Sequence, residues 1–554
     1  MSSGGSVAQG GDSGLGGSQA GGSSARGGTS NSGGSSSLGG LAAGGTARVG
    51  GTTASGGTSS AGGSTSGGRT TAGGTTASGG TTPSGGATGT GGGTGNASAN
   101  VKFTQTNQTI DGFGVSNAWL YPPSSKTAVY DALFSVTKGA GLSILRNRIP
   151  FRERPSNDDK FINKDSSGNY SYSANANGSK TYSLNWSNWD LNNTAALIGD
   201  IKAAGSDYQV TKFLSTPWTP PNNSVGKWKL PSSGRTLDYT TAPDVGGYLD
   251  PNHYADYADV LADYALGFRA KMGVDLTALS LQNEPNFRCT YESADWSADQ
   301  FHTFFGTLKT EFTRKAVFTQ LANLQIMAPE YQNVKEDLIL PTLADTNTAG
   351  LLGIVGAHQY EFGTANVNTY GAPLLTNSLG AGKRVWMTEW SSAQWAASTA
   401  IADGLILARL VHMDMTAANM SAFLYWWAWG SGNGFLVASN GTAAKRLYTL
   451  GQFSRFVRPG WSRVTTTASP ATNLYLSAYK DAAGSQVAIV VINTGTASAS
   501  LPLIIDAGRF GTLTQYRTSA TENIANVGTV AGGATVTVTL AGSSVTTFVG
   551  PVTP

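Results

Sequence analysis

Two glutamates in this chain stand at the ends of apolar runs. In LSLQNEPN, residues 279–286, Glu284 follows the run Leu276–Leu281 and precedes Pro285, which stops the strand from continuing. In RVWMTEWSS, residues 384–392, Glu389 closes a second apolar run between Trp386 and Trp390. Two carboxylates facing one cleft are the minimum machinery for cleaving a glycosidic bond: one, protonated, assists the leaving oxygen, and the other, ionised, attacks the anomeric carbon. Apolar surroundings raise the first pKa, and hydrogen bonds keep the second low. A single carboxylate at a strand end is more often an ion-paired or surface group. It is the pair, each at the carboxyl end of an apolar strand, that points to catalysis. Glu153, Glu330 and Glu361 also fall near strand ends and are the competing carboxylates.

Around this pair lie side chains suited to a sugar. Asn283 supplies a neutral amide beside Glu284 for a hydroxyl, and Tyr360, in GAHQYEF, can hydrogen-bond Glu389. Trp119, Trp218, Trp386, Trp390, Trp426, Trp427 and Trp429 fall near expected strand ends. Flat aromatics stack on the C–H faces of sugar rings and equally well fill a core. His358 reads as a structural neighbour. The four histidines show no metal-ligand spacing, and there is no GxSxG elbow and no phosphate-binding loop, so neither metal nor cofactor is expected. Cys289 lies close to Glu284, but without a base partner it reads as a packed loop residue.

The elements that must hold these groups recur with a regular beat. Short apolar runs occur at Gly112–Ala118, Leu142–Ile149, Val210–Thr216, Leu276–Leu281, Leu324–Ala328, Leu352–Ala357, Val385–Thr388 and Ala422–Trp427. Amphipathic stretches such as Tyr254–Met272, Ala294–Leu308 and Ala397–Thr416 lie between them. Strand and helix alternating eight times predict an α/β fold, a closed (β/α)8 TIM barrel. The long connection from Arg152 to Asp190 is expected as an elaborated loop on the active face. Beyond Pro459 six strand-like segments follow with no helical pattern, an attached all-β sandwich side domain. The early strand Val101–Ile110 is expected to pair with it. This divides the chain into a barrel over residues 100–460, a side domain over 461–554 and, before both, a tether over 1–99.

The tether is set apart by composition. The chain holds 74 glycines and is 12% charged, and its first aromatic residue is Phe103. A Gly/Ser/Thr-rich stretch with no aromatics cannot bury enough apolar surface to offset its ordering entropy, so it reads as a disordered linker. A net charge of +3 with scattered Lys and Arg excludes a nucleic-acid partner, and no stretch approaches a membrane span. One cysteine allows no disulfide within the chain. No signal peptide is visible in the first ten residues, yet the long tether fits a secreted protein better than a cytoplasmic one. The expected partner is a polysaccharide, bound by a monomer.

At its motifs the chain resembles glycoside hydrolase family 30, and within it the bacterial xylanase branch. The stretches are QTIDGFGVSNAW (108–119), LSILRNRI (142–149), STPWTPP (215–221), LSLQNEPN (279–286), TYESADW (290–296), GAHQY (356–360), VWMTEW (385–390) and KRLYTLGQFSRFVRPG (445–460). They run in order from about residue 100 onward; the tether lies outside. The resemblance implies a barrel with a fused sandwich and a retaining double displacement, and it points to cleavage of β-1,4-xylosidic bonds in xylan. The alternatives are another family 30 activity, such as a β-1,6-glucanase, β-1,6-galactanase or exo-xylosidase, and a non-catalytic polysaccharide-binding protein. The resemblance places the acid/base at Glu284, the nucleophile at Glu389 and sugar contacts at Trp119, Trp218, Asn283 and Tyr360; Trp426 joins these from the aromatic reading. One departure stands out. Members that require glucuronic acid branches carry an arginine just after the eighth strand, whereas here YWWAWGSGNG, residues 425–434, puts Trp429 and Gly430 in its place. Without that cation nothing there pairs with a uronate, so unbranched or arabinose-decorated xylan is expected to serve.

Overall fold

The computed structural model describes residues 97–153, 160–360, 375–392, 400–431 and 434–554. Nearly all of the tether, and Glu361, lie outside them. Eight parallel strands close into a barrel: Gly112–Ser116, Ile144–Ile149, Lys212–Pro217, Ala278–Ser280, Gln325–Tyr331, Leu352–His358, Arg384–Trp390 and Ala422–Tyr425. The eighth pairs with the first, Phe423 opposite Phe113. Each corresponds to one of the eight apolar runs. The alternation of side chains on a strand sends one set inward, and Ile144, Leu214, Ala278, Met327, Ile354, Trp386, Ala422 and Leu424 fill the barrel interior as one cluster. The other set packs against the surrounding helices.

Helix Tyr254–Met272 has the bounds read from its periodicity and stops at Gly273, whose φ of 66° is the left-handed conformation that ends helices. Helix Ala298–Arg314 begins four residues later than expected, because Ser297 and Gln300 form a reciprocal capping box that defines its first turn. Helix Ile401–Thr416 begins just beyond the undescribed residues 393–399.

The described part of the connection from Arg152 to Asp190, which excludes residues 154–159, includes a hairpin, Tyr172–Ala174 with Lys180–Tyr182, that lies along the flank of helix Tyr254–Met272. The backbone N–H groups of Lys180 and Tyr182 donate to Asp259 and Asp263 at 2.6 and 2.7 Å, and Asn177 reaches the carbonyl of Arg314 at the far end of the next helix. Asp256, Asp259 and Asp263 fall on one helical face, an acidic stripe that needs donors. Sequence composition marked the loop as polar but not which acceptors it would satisfy.

The all-β region forms a ten-stranded sheet in which Gln486–Asn493 is central, with Leu474–Lys480 and Ser544–Thr553 as antiparallel neighbours. The early strand Ala99–Thr109 joins this sheet, antiparallel to Ser462–Thr466 and parallel to Ala499–Ile505. Period-two alternation along the central strand explains how the two parts hold together. Val487, Ile489 and Val491 point into the core of the β region, while Ala488, Val490 and Ile492 belong to the barrel's own core. Thr547 Oγ1 also donates to the carbonyl of Gln452 on the last barrel helix, at 2.7 Å. No helix among the described residues is long and apolar enough to cross a membrane.

Twelve of the 13 tryptophans lie within residues 100–460 and Trp461 packs against the barrel's core cluster, so their fluorescence reports mainly the barrel. Ile492→Ala, made in the β region, is therefore expected to lower the tryptophan-detected stability by about 2–5 kcal/mol in urea. An unchanged tryptophan transition would show that the two parts unfold independently.

Candidate active site

The second barrel strand, Ile144–Ile149, carries two buried arginines, Arg146 and Arg148. Arg146 is fully buried, and its guanidinium is the hub of the carboxyl end of the barrel. Nη1 donates to Glu389 Oε2 at 2.6 Å, Nη2 donates to Asn283 Oδ1 at 2.7 Å and lies 3.2 Å from Glu330 Oε1, and Nε reaches Thr216 Oγ1. The planar fork suits this arrangement because its donors can serve several acceptors at once. Five strands thus meet on one side chain.

Glu389 ends the seventh strand with both carboxylate oxygens engaged, Oε2 by Arg146 and Oε1 by the Tyr360 hydroxyl at 3.0 Å. Glu284 lies just beyond the fourth strand with a left-handed φ of 43°, and its backbone N–H donates to the Glu330 carbonyl at 3.0 Å. Its Oε1 lies 2.9 Å from His358 Nδ1. A carboxylate oxygen of Glu284, one of Glu389 and a ring nitrogen of His358 all lie within 4.8 Å of one another. The two glutamates are each only 6% exposed, so they face each other across an enclosed floor. The triplet brings together ligand types that a cation could use, which the linear spacing of the histidines did not show.

The charges are arranged to differ. Burial pushes the Glu284 carboxyl above its ordinary range, and the nearby Glu389 adds to this, while His358 and Arg146 offset part of it. Burial acts on Glu330 in the same direction but is outweighed by Arg146 and His358, which hold it at about 2. Burial alone would lower His358, yet Glu389, Glu284 and Glu330 bring it up to about 9. Arg146 and His358 thus stand against Glu330, Glu389 and Glu284, and burial favours the protonated form of Glu284. Glu330, a competing carboxylate in the sequence, is the fully buried counter-ion of Arg146. It crosses the sixth strand at Gly356, where a Cβ would come within 2.7 Å of its Cγ. Glu153, another competitor, pairs with Lys164.

The aromatics divide into wall and core. Trp119, with φ 57°, packs edge-on to Trp218, Trp426 and Trp427 at centroid distances of 4.7, 5.8 and 6.3 Å. Trp119 and Trp426 are half-buried, whereas Trp218 is 3% exposed and lies under the Arg146 guanidinium, 4.8 Å from its ring centre. Trp386 points into the barrel with its indole on Asp111, Trp390 packs on Tyr425, and Trp429 donates to the Tyr121 carbonyl. These three pack in the fold. Asn283 stays beside Glu284, its carbonyl oxygen taken by Arg146. The sequence reading missed Arg146 and took His358 for a bystander. The visible signal for the first was a pair of arginines, Arg146 and Arg148, inside the run LSILRNRI.

No family model matches the chain. It is 29% identical to glucuronoxylanase XynC of Bacillus subtilis (strain 168) over 315 residues, which is 56% of this chain and 67% of the relative. The solved structure of a glycoside hydrolase family 30 subfamily 8 xylanase, Xyn30A of Clostridium acetobutylicum, matches with 27% identity and a TM-score of 0.62, covering 82% of this chain and 99% of that one. A family 30 endoxylanase from Clostridium papyrosolvens C71 matches over 82% of this chain and all of its own, with 28% identity and a TM-score of 0.62.

Because Glu330 sits at about 2 in the fold against an ordinary 4.5, its stabilising effect is present above about pH 4.5 and is lost as pH falls toward 2. Arg146→Leu strands this carboxylate and Glu389 without their cation. We expect a loss of about 3–5 kcal/mol near pH 7, with the gap to wild type narrowing through the acid range. Urea titrations from pH 7 to pH 3 measure both, and a gap that does not change with pH would contradict the assignment.

Proposed function

We propose that this chain, a glycoside hydrolase similar to the family 30 xylanases, cleaves internal β-1,4-xylosidic bonds of xylan by a retaining double displacement. Glu389 is the nucleophile and Glu284 the acid/base. The observation that carries the reading is the approach of the two carboxylates to within 4.8 Å, oxygen to oxygen. Retaining enzymes hold their carboxyl groups about 5–5.5 Å apart, close enough for one to bond to the sugar, while inverting enzymes leave room for a water at about 6.5–9.5 Å.

In the first step the Glu284 carboxyl protonates the glycosidic oxygen as Glu389 Oε attacks the anomeric carbon, so the C–O bond to the leaving sugar breaks as the C–O bond to Glu389 forms. Burial raises the Glu284 pKa, which favours the protonated form this step needs. Arg146 and the Tyr360 hydroxyl hold the attacking carboxylate in one orientation. Loss of the proton lets Glu284 act as base in the second step, taking a proton from water while the hydroxyl displaces Glu389. Asn283, Trp119, Trp218, Tyr360 and Trp426 contact the sugars. Among the described residues, Arg146 is engaged by Glu389, Asn283 and Glu330, and Trp429 and Gly430 put no cation after the eighth strand. We assign the substrate as neutral or arabinose-decorated xylan and the location as extracellular.

Incubation with glucuronoxylan, arabinoxylan and linear xylan, with products separated by mass and linkage, tests the substrate; products whose lengths are set by uronate position would refute it. Proton NMR of the first-formed products should show the β-anomer, and an α-anomer would mean inversion.

The roles are tested separately. Glu284→Ala is expected to lower kcat/KM on xylan about 10²–10⁴-fold and to remove the alkaline limb of the pH profile, with aryl xylosides of good leaving groups suffering least. Glu389→Gly should abolish both substrates and yield an α-glycosyl azide in the presence of azide. Activity retained in either variant on every substrate would end the assignment.

A further inference from the structure

The loop after the eighth strand folds back on itself. Trp429–Gly430 pairs with Val437–Ala438, and the N–H of Leu436 bonds to the carbonyl of Trp427. This return lays the ring of Phe435 directly over Gly430. A Cβ built at Gly430 would come within 2.3–2.5 Å of three atoms of that ring, so position 430 must be glycine for Phe435 to lie where it does. The same ring stacks on Trp427, with centroids 5.8 Å apart and planes 15° from parallel. Trp427 in turn touches Trp426 at 4.3 Å and Trp119 at 6.3 Å. Trp426 lies over Arg146, which bonds Glu389. An unbroken line of rings therefore runs from the attacking carboxylate outward to Phe435. Trp426, Trp427 and Phe435 are all half-buried, leaving each part of its surface to solvent.

We propose that Trp427 and Phe435 form a stacking subsite for a neutral sugar ring remote from the cleaved bond, and that Phe435 is a specificity-determining residue of this site. Near-parallel, partly exposed aromatic planes present an apolar shelf that matches the C–H face of an uncharged pyranose. The ring also fills the volume that any side chain at position 430 would need, so the shelf offers stacking in place of an ionic grip. A carboxylate-bearing sugar set against an apolar shelf loses hydration without an ionic gain from the rings. The proposal deepens the reading of the chain as a hydrolase of neutral xylan and rests on it.

The test uses the full chain with Phe435→Leu, which keeps apolar volume but removes the flat ring, and Phe435→Tyr, which restores the ring. Steady-state kinetics on xylohexaose and on an aryl β-xyloside are combined with xylohexaose binding to the Glu284→Gln background. Phe435→Leu is expected to raise KM and Kd for xylohexaose about three- to tenfold, with kcat changed less than KM and a smaller effect on the aryl xyloside. Phe435→Tyr should recover most of the loss. Equal losses on both substrates, a loss in kcat alone, or hexaose binding unaffected by Phe435→Leu would each overturn the subsite. In a second arm, Gly430→Arg with Phe435→Ala should shift the ratio of glucuronoxylan to linear xylan hydrolysis upward, and Gly430→Arg alone should not. The same shift in the single variant would show that Phe435 does not control the site. If the wild type cleaves another glycan series and no xylo-oligosaccharide, the xylan reading fails, and the comparison of Phe435 variants on that series still decides the subsite.

Discussion

The arrangement depends on one buried guanidinium. Arg146 has no exposure to water and lies within bonding distance of two carboxylates and an amide, each delivered by a different strand. An isolated charge in such a place would cost many kcal/mol, so the cation is tolerated only because Glu330 and Glu389 meet it there. The reverse also holds: two carboxylates this close to each other and to Glu284 need a fixed positive centre. The mutual requirement fixes the orientation of these side chains at the floor of the cleft.

The barrel explains how such a cluster assembles. Parallel strands in a closed ring all end on one rim, so residues far apart in sequence converge: Arg146 and Glu389 are 243 positions apart, and His358 and Glu284 are 74 apart. Where the backbone leaves a strand it turns sharply. Trp119, Glu284 and Glu330 all adopt left-handed φ values of 43–57° at this rim, conformations that non-glycine residues hold only when the surroundings impose them. The β region contributes from outside. Its central strand is buried on both faces, one of them against the barrel, so the two parts share a core although neither donates a residue to the other's chemistry.

The aromatic wall shows how type and placement separate. Thirteen tryptophans could each have lined a cleft. Trp386 faces the barrel interior, Trp390 and Trp429 are spent on packing, and Trp119, Trp426 and Trp427 converge around the cluster. Nothing in their spacing distinguishes these groups, because the decision rests on which way a strand's last side chain points and on how the following loop returns. Phe435 is the clearest instance, since its position over Gly430 exists only once the loop has folded back.

The sequence alone determined a good deal of this protein. Eight apolar runs alternating with amphipathic helices specify a barrel because each period matches the geometry that buries it, and strand ends mark the rim where Glu284 and Glu389 lie. Helix Tyr254–Met272 was legible to the residue, because apolar spacing and a terminal glycine agree. The start of helix Ala298–Arg314 was less so, since a local capping box overrode the hydrophobic pattern. Only the tertiary structure decided which competing carboxylate serves as a counter-ion, that His358 bonds Glu284, that Arg146 joins five strands, and that the Asn- and Ser-rich hairpin lies along a helix flank. Those outcomes depend on through-space electrostatics and on the satisfaction of buried polar groups. Such interactions couple residues across the whole chain and leave no periodic trace along it.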